Sequence, residues 1–433
     1  MKQQKKYHPD VNLNLNVRGL PQSATLAINE LSNKLIKQGR QVFKLGLGQS
    51  PFPVPQPVVD KLKANAHQKD YLPVKGLEEL KAAVAEYYRR TQETEHTEDD
   101  VIVGPGSKEL MFLLQLVYYG DLVIPTPSWV SYAPQARIIG RQIHWLPTYQ
   151  EDNWRLTPEE IELLCKKDPD RPRVIILNYP NNPSGMTYRV DELKDLARMA
   201  RKYRVILLSD EIYGELHHTG NHVSIARFYP EGTIISSGLS KWCGAGGWRL
   251  GTFVFPRSLH WLLDAMAAVA SETYTSTSAP IQYAAVTAFQ GGIKMEHYLF
   301  HCRRILRYLG RMIADKLQKA GVIQPKPLGG FYLFPDFTPF KEALNSRGIS
   351  TSEAFCERLL EETGVALLPG SSFGRDSDEL TARLAYVDFD GARALTASEQ
   401  VPPYKNIDDD FVMTYCAGPF KAVDHLCQWL HNK

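Results

Sequence analysis

Short apolar runs recur between residues 101 and 255, each closed by Gly, Pro, Ser, Asp or an aromatic residue. They are Val101–Gly104, Leu122–Pro125, Gln142–Leu146, Val174–Tyr179, Val205–Ser209, Thr233–Ser237 and Gly251–Phe255. Most are separated by segments with helical periodicity: Ser107–Tyr119, Thr157–Lys167 and Val190–Tyr203. Thr157 and Glu160 have the spacing of a capping box. Continuous apolar strands alternating with helices predict an α/β fold, with a seven-stranded, mostly parallel sheet sandwiched by helices. The sixth and seventh runs are joined by a Gly-rich loop instead of a helix, which predicts one strand running the other way. Ligands of such sheets bind beyond the carboxyl ends of the strands.

The pattern changes after this region. A long amphipathic stretch, Ile293–Ala320, leads into a mixture of strand-like and helical segments at Gly329–Asp336, Ser352–Thr363, Arg383–Phe389 and Pro419–Trp429. That mixture predicts a smaller α+β domain. The expected division is 1–57 (N-terminal arm and part of the small domain), 58–300 (large domain) and 301–433 (small C-terminal domain). Residues 397–411, polar with a Pro pair and an Asp run, read as a surface insertion.

Composition narrows the partners. Lys plus Arg is 50 and Asp plus Glu is 48 in 433 residues, a formal charge of +2. So small an excess argues against nucleic-acid or membrane-surface partners. None of the six cysteines forms a C-x-x-C pair, so neither a metal site nor a disulfide framework is expected. The N-terminal residues 1–16 lack the apolar core of a secretory signal, and no apolar run approaches the roughly 18–20 residues of a membrane span. A cytoplasmic protein is the expectation.

The loops after the strands carry the candidate chemistry. Gly104-Pro105-Gly106-Ser107-Lys108 opens a helix, and free N–H groups there suit a phosphate; Ser107 would cap it. The bland alternative is an ordinary helix start. Trp129 follows the second run and reads as packing or as a ring that stacks on a ligand. Asn178–Gly185 is a turn by composition. Asp210 follows four apolar residues at the rim of a buried sheet, where it could meet a cationic ligand, bind a metal or cap a helix. In Ser236–Gly251, Lys241 sits among small and apolar residues, where desolvation lowers an amine's pKa and makes it nucleophilic. Arg249 follows eight residues later, within reach of the same ligand.

These stations resemble, in order and approximate spacing, those of the class I aminotransferases, fold-type I enzymes that use pyridoxal phosphate. The likeness runs from about Pro21 to Arg393 and centres on Ser237–Gly251. It implies that Lys241 forms the Schiff base and, once freed, acts as general base. Asp210 would pair with the ring nitrogen, Tyr213 and Asn182 with the phenolic oxygen, and Trp129 with the ring face. Gly106, Ser107, Lys108, Ser240 and Arg249 would hold the phosphate. Tyr71 would reach the phosphate of a neighbouring subunit, which implies a homodimer with shared sites; without the resemblance Tyr71 reads as core packing. Gly238 departs from the pattern, since some relatives carry a hydroxyl there.

For the substrate, Arg383 resembles the arginine that binds the α-carboxylate through a bidentate fork, and Gly48 the glycine near it. Trp129 and Asn182 would also touch the substrate. Ser23, Thr25 and Lys108 resemble positions that meet a distal carboxylate in a bacterial branch of the family. Otherwise Lys108 faces solvent and Ser23 and Thr25 cap a helix. The implied reaction is transamination between an L-amino acid, aspartate before an aromatic one, and a 2-oxo acid such as 2-oxoglutarate. A C–S β-lyase or synthase would share the same residues. A regulator with an aminotransferase-like sensor is a remote alternative, because the roughly 20 residues before the match cannot hold a DNA-binding module.

Overall fold

In the computed structural model, which describes residues 12–20 and 22–431, all seven apolar runs form strands of a single sheet. After a short strand β1 (Phe43–Lys44) come β2 (Val101–Gly104), β3 (Asp121–Thr126), β4 (Ile143–Pro147), β5 (Arg173–Asn178), β6 (Ile206–Asp210), β7 (Thr233–Gly238) and β8 (Gly251–Val254). Their order across the sheet is β2-β8-β7-β6-β5-β3-β4. The pairs from β4 to β7 are parallel, whereas β8 is antiparallel to both neighbours. The Gly-rich loop supplies a direct return, and only antiparallel strands can be joined that way.

Both faces of this sheet are covered. Ile102, Ile124, Ile176, Leu208 and Phe253 pack into one core, and Val123, Ile175, Leu177 and Leu207 into another. Each such side chain contributes about 1.5–3 kcal/mol on burial. The helix Val190–Lys202 buries Leu193, Leu196, Ala197 and Ala200, the spacing of one helical stripe. The capping box forms, with the Thr157 N–H donating to Glu160 Oε2 at 3.0 Å.

The remaining strands are β9 (Tyr332–Leu333), β10 (Val365–Ala366), β11 (Leu368–Pro369) and β12 (Ala382–Ala385). β11, β12 and β9 form an antiparallel sheet, while β10 pairs in parallel with β1. That pairing joins the N-terminal segment to the C-terminal third. The long helix spans Ile293–Lys319, so position 300 falls inside it.

Residues 397–411 are not a free insertion. One helix runs through Glu399 and another starts at Asp409, with Ile407 and Phe411 in the core. Arg304 ties down the 400–406 loop by donating to the carbonyls of Val401 and Lys405 at 3.0 and 2.7 Å. All six cysteines are free thiols. Among the described residues no helix is long and apolar enough to cross a membrane. Residues 1–11, most of the stretch read for a signal, and Pro21 lie outside the described residues.

Candidate active site

The site is built at the carboxyl ends of the central strands. Asn178 and Asp210 end β5 and β6 and lie in register. The Asn178 side chain donates to the Asp210 carbonyl at 2.8 Å and accepts from the Asn182 N–H at 2.8 Å, so it fixes both residues. The Asp210 carboxylate is buried and accepts from the Tyr132 hydroxyl at 2.5 Å. Burial pushes its pKa up to about 6, and the hydrogen bonds from Tyr132, the Ile212 N–H and Ser236 only partly oppose the shift.

Lys241 follows β7 and is half-buried. Its Nζ donates to the Gly48 carbonyl at 2.7 Å and lies 5.7 Å from the Tyr213 ring centre and 5.9 Å from that of Phe331. Tyr332 joins this group: its hydroxyl is 2.9 Å from Tyr213 Oη and 3.4 Å from the Gly48 carbonyl. A Cβ built on Gly48 would fall 2.0 Å from Tyr332 Oη, so only glycine fits.

Arg383, on β12, brings a buried guanidinium to the same place. Its two terminal nitrogens donate to Asn182 Oδ1 at 3.1 Å and to the Gly46 carbonyl at 2.5 Å. Its Nε has no partner, and among the described residues no carboxylate lies within ion-pair distance. A buried cation without a counter-charge is costly unless an anion reaches it. A continuous set of contacts thus runs from Asp210 through Asn178 and Asn182 to Arg383. Arg383 lies 4.8 Å from the Tyr332 ring, and Tyr332 in turn contacts Tyr213.

At the edge of this group the helix Ser107–Val117 begins. Gly106, not Ser107, is its cap residue; Ser107 is the first helical residue, and no side chain caps the turn. Gly106 has φ +94°, and a Cβ on it would fall 2.2 Å from Arg249 Nη2. The helix start and the guanidinium therefore face the same point. Arg249, at φ +56°, donates to the carbonyls of Gly246 and Pro105. A non-glycine residue held in the left-handed region costs about 1–3 kcal/mol and tends to mark a functional site. Gly238 also has a physical reason: its Cβ would fall 2.5 Å from the Leu250 carbonyl, where the two ends of the lysine loop meet. Ser240 is half-buried on that loop.

Lys108 leans over Trp129, with Nζ 5.5 Å from the ring centre, and burial and Arg249 lower its pKa. Trp129 also meets Tyr132 edge to face. Ser23, Lys108 and Trp129 line a cavity of about 1020 Å³; Thr25 does not. Ser23 precedes the helix Ala24–Lys37 without a side-chain capping bond, so its hydroxyl is not spent on the helix. Tyr71 is 88% exposed, which excludes core packing. Tyr132, Asn178, Phe331 and Tyr332 were not singled out in the sequence. Asn178 has a visible signal, since it is the first polar residue after the apolar stretch of its run; the other three have none.

The profile of the family described as Aminotransferase class I and II matches residues 40–387. The aspartate aminotransferase of Geobacillus stearothermophilus is 35% identical over 86% of this chain and 93% of its own. An asparagine–oxo-acid transaminase of Streptococcus mutans is 31% identical over 86% of this chain and 94% of its own. The structure of Thermus thermophilus aspartate aminotransferase with maleate superposes with a TM-score of 0.82 at 28% identity, covering 97% of this chain and all of that one. With the lysine loop, the rim carboxylate and the buried arginine in one site, the chain belongs to the class I and II aminotransferase family and is an aminotransferase.

Proposed function

We propose that this aminotransferase uses pyridoxal phosphate and takes L-aspartate as its preferred donor, aromatic amino acids next, with 2-oxoglutarate as acceptor. The observation that carries the reading is Arg383. Its buried guanidinium has a free Nε, and an α-carboxylate, common to amino acids and 2-oxo acids, would complete it.

The residues also fit the cofactor. Gly106 leaves room where a Cβ would collide with Arg249, so the phosphate would meet the N–H groups of Gly106 to Lys108, Arg249 and the Ser240 hydroxyl. Asp210 would face the ring nitrogen, Tyr213 and Asn182 the phenolic oxygen, and Trp129 the ring face. Bound there, pyridoxal phosphate supplies an aldehyde that captures the amino group and a ring that accepts electrons from the α-carbon. Lys241 Nζ takes the proton from the substrate α-carbon, held beside it by the Gly48 carbonyl. Arg383 orients the substrate so that this C–H bond faces the amine.

Lys108 and Ser23 favour a second carboxylate at the far end of the substrate, in keeping with relatives named for aspartate. Tyr71, exposed in the single chain, would complete the site of a second subunit in a homodimer. The large part, 58–300, would hold the cofactor, and the small part, 1–57 with 301–433, would bring Gly48 and Arg383 to it. Six free thiols suit a reducing, cytoplasmic setting. The test is Lys108→Ala. Its KM for aspartate should rise about tenfold or more, the scale of one charged hydrogen bond, while that for phenylalanine stays nearly constant. Equal changes for both would contradict the assignment.

A further inference from the structure

The chain's small net charge hides a second cationic concentration, on the helix Ile293–Lys319. Between 303 and 326 there are seven basic residues and one acidic residue, Asp315. Arg304, Arg307 and Arg311 follow at steps of three and four, so they share one helical face and span about 10 Å of its axis. They line a cavity of about 710 Å³ whose opposite wall is the loop ahead of the helix Asp409–Tyr415, with Lys405. This is the loop that Arg304 pins by its carbonyls.

The charges in this groove are poorly compensated. Lys316 is paired with Asp424, and Lys326 with Asp315. Among the described residues no carboxylate lies within ion-pair distance of Arg304, Arg307, Arg311, Lys319 or Lys405. Asp409, on the same wall, accepts from the Tyr308 hydroxyl at 2.7 Å. Arg304 spends one N–H of each terminal nitrogen on a carbonyl, which leaves its charge uncancelled. Five cations around one concavity repel each other, and an anion bound among them relieves that repulsion.

We propose that this groove is a binding site for a multivalent anion carrying a phosphate chain. Guanidinium forks match phosphate oxygens two at a time, and the two forks of Arg307 and Arg311, with Arg304, Lys319 and Lys405 adding charge, suit several linked phosphates better than one compact anion. The groove is separate from the active site. None of its lining residues belongs to the site around Asp210, Lys241 and Arg383.

The probe is inorganic tripolyphosphate, titrated by calorimetry into the pyridoxal-phosphate-loaded enzyme, where the cofactor occupies its own phosphate site. ATP and citrate serve as comparison arms at matched ionic strength. Saturable binding of tripolyphosphate is expected, weakened at least about tenfold in the Arg307→Gln/Arg311→Gln double variant, which loses two charged contacts. Turnover of the amino acid should be unchanged in that variant. ATP tighter than tripolyphosphate would assign the natural ligand to the nucleotides; equal affinity would assign it to the phosphate chain alone. No saturable binding, undiminished binding in the double variant, or citrate binding as tightly as tripolyphosphate would overturn the proposal.

Discussion

Asp210 holds its charge against its surroundings. Burial raises its pKa from 3.8 to about 6 in the chain by itself. For an acid, a raised folded value is a stability cost. That cost is absent below about 3.8, grows as pH rises through the interval, and is complete above about 6. A shift of this size corresponds to about 3 kcal/mol. Asp210→Asn should therefore stabilise the cofactor-free protein by up to about 3 kcal/mol at pH 8 and by nothing near pH 3.5, while turnover falls steeply. Urea unfolding at the two pH values checks this; equal effects at both would contradict it. At this scale the sequence marks residues that sit at strand ends or in a dense small-residue loop, as Asp210 and Lys241 do. It does not mark Tyr332, which meets Tyr213 from 119 positions away, because no local period connects the two.

Among the elements, the seven strands are legible because each is a continuous apolar run with a turn residue after it. β1 and β10 are two residues long and leave no such trace. The polar composition of 397–411 hides Ile407 and Phe411, which anchor it from within. The strands and the Ser107–Val117 helix meet closely at glycines. Gly104, Gly251 and Gly238 lie side by side across β2, β8 and β7. A Cβ on Gly251 would fall 1.9 Å from the Ser107 backbone N. The helix start is thus pressed onto the sheet at the point proposed for the phosphate. Gly251→Ala should push the two apart at a cost of about 1–3 kcal/mol and release pyridoxal phosphate on dialysis. Retention of the full cofactor complement with unchanged thermal unfolding would contradict this account.

For the whole molecule, a formal charge of +2 conceals separated cationic excesses, one at Lys108, Lys241, Arg249 and Arg383 and one on the long helix, offset by acidic residues elsewhere. Tyr71, exposed in the single chain, has its proposed place in a second subunit. Subunit mixing tests that. Tyr71→Ala and Lys241→Ala should each be nearly inactive, and equal amounts remixed after dissociation should recover about a quarter of wild-type activity. Half the dimers are then hybrids, and each hybrid has one intact site. No recovery on mixing would place Tyr71 in its own subunit's site. In the proposed reaction an amino group passes from aspartate to 2-oxoglutarate, with Lys241 moving the proton. The most direct measurement incubates the enzyme with nitrogen-15-labelled L-aspartate and unlabelled 2-oxoglutarate and follows the label by mass spectrometry. Labelled glutamate should form with an equal amount of oxaloacetate, and neither should form with Lys241→Ala. Unlabelled glutamate only, or undiminished transfer in that variant, would contradict the claim.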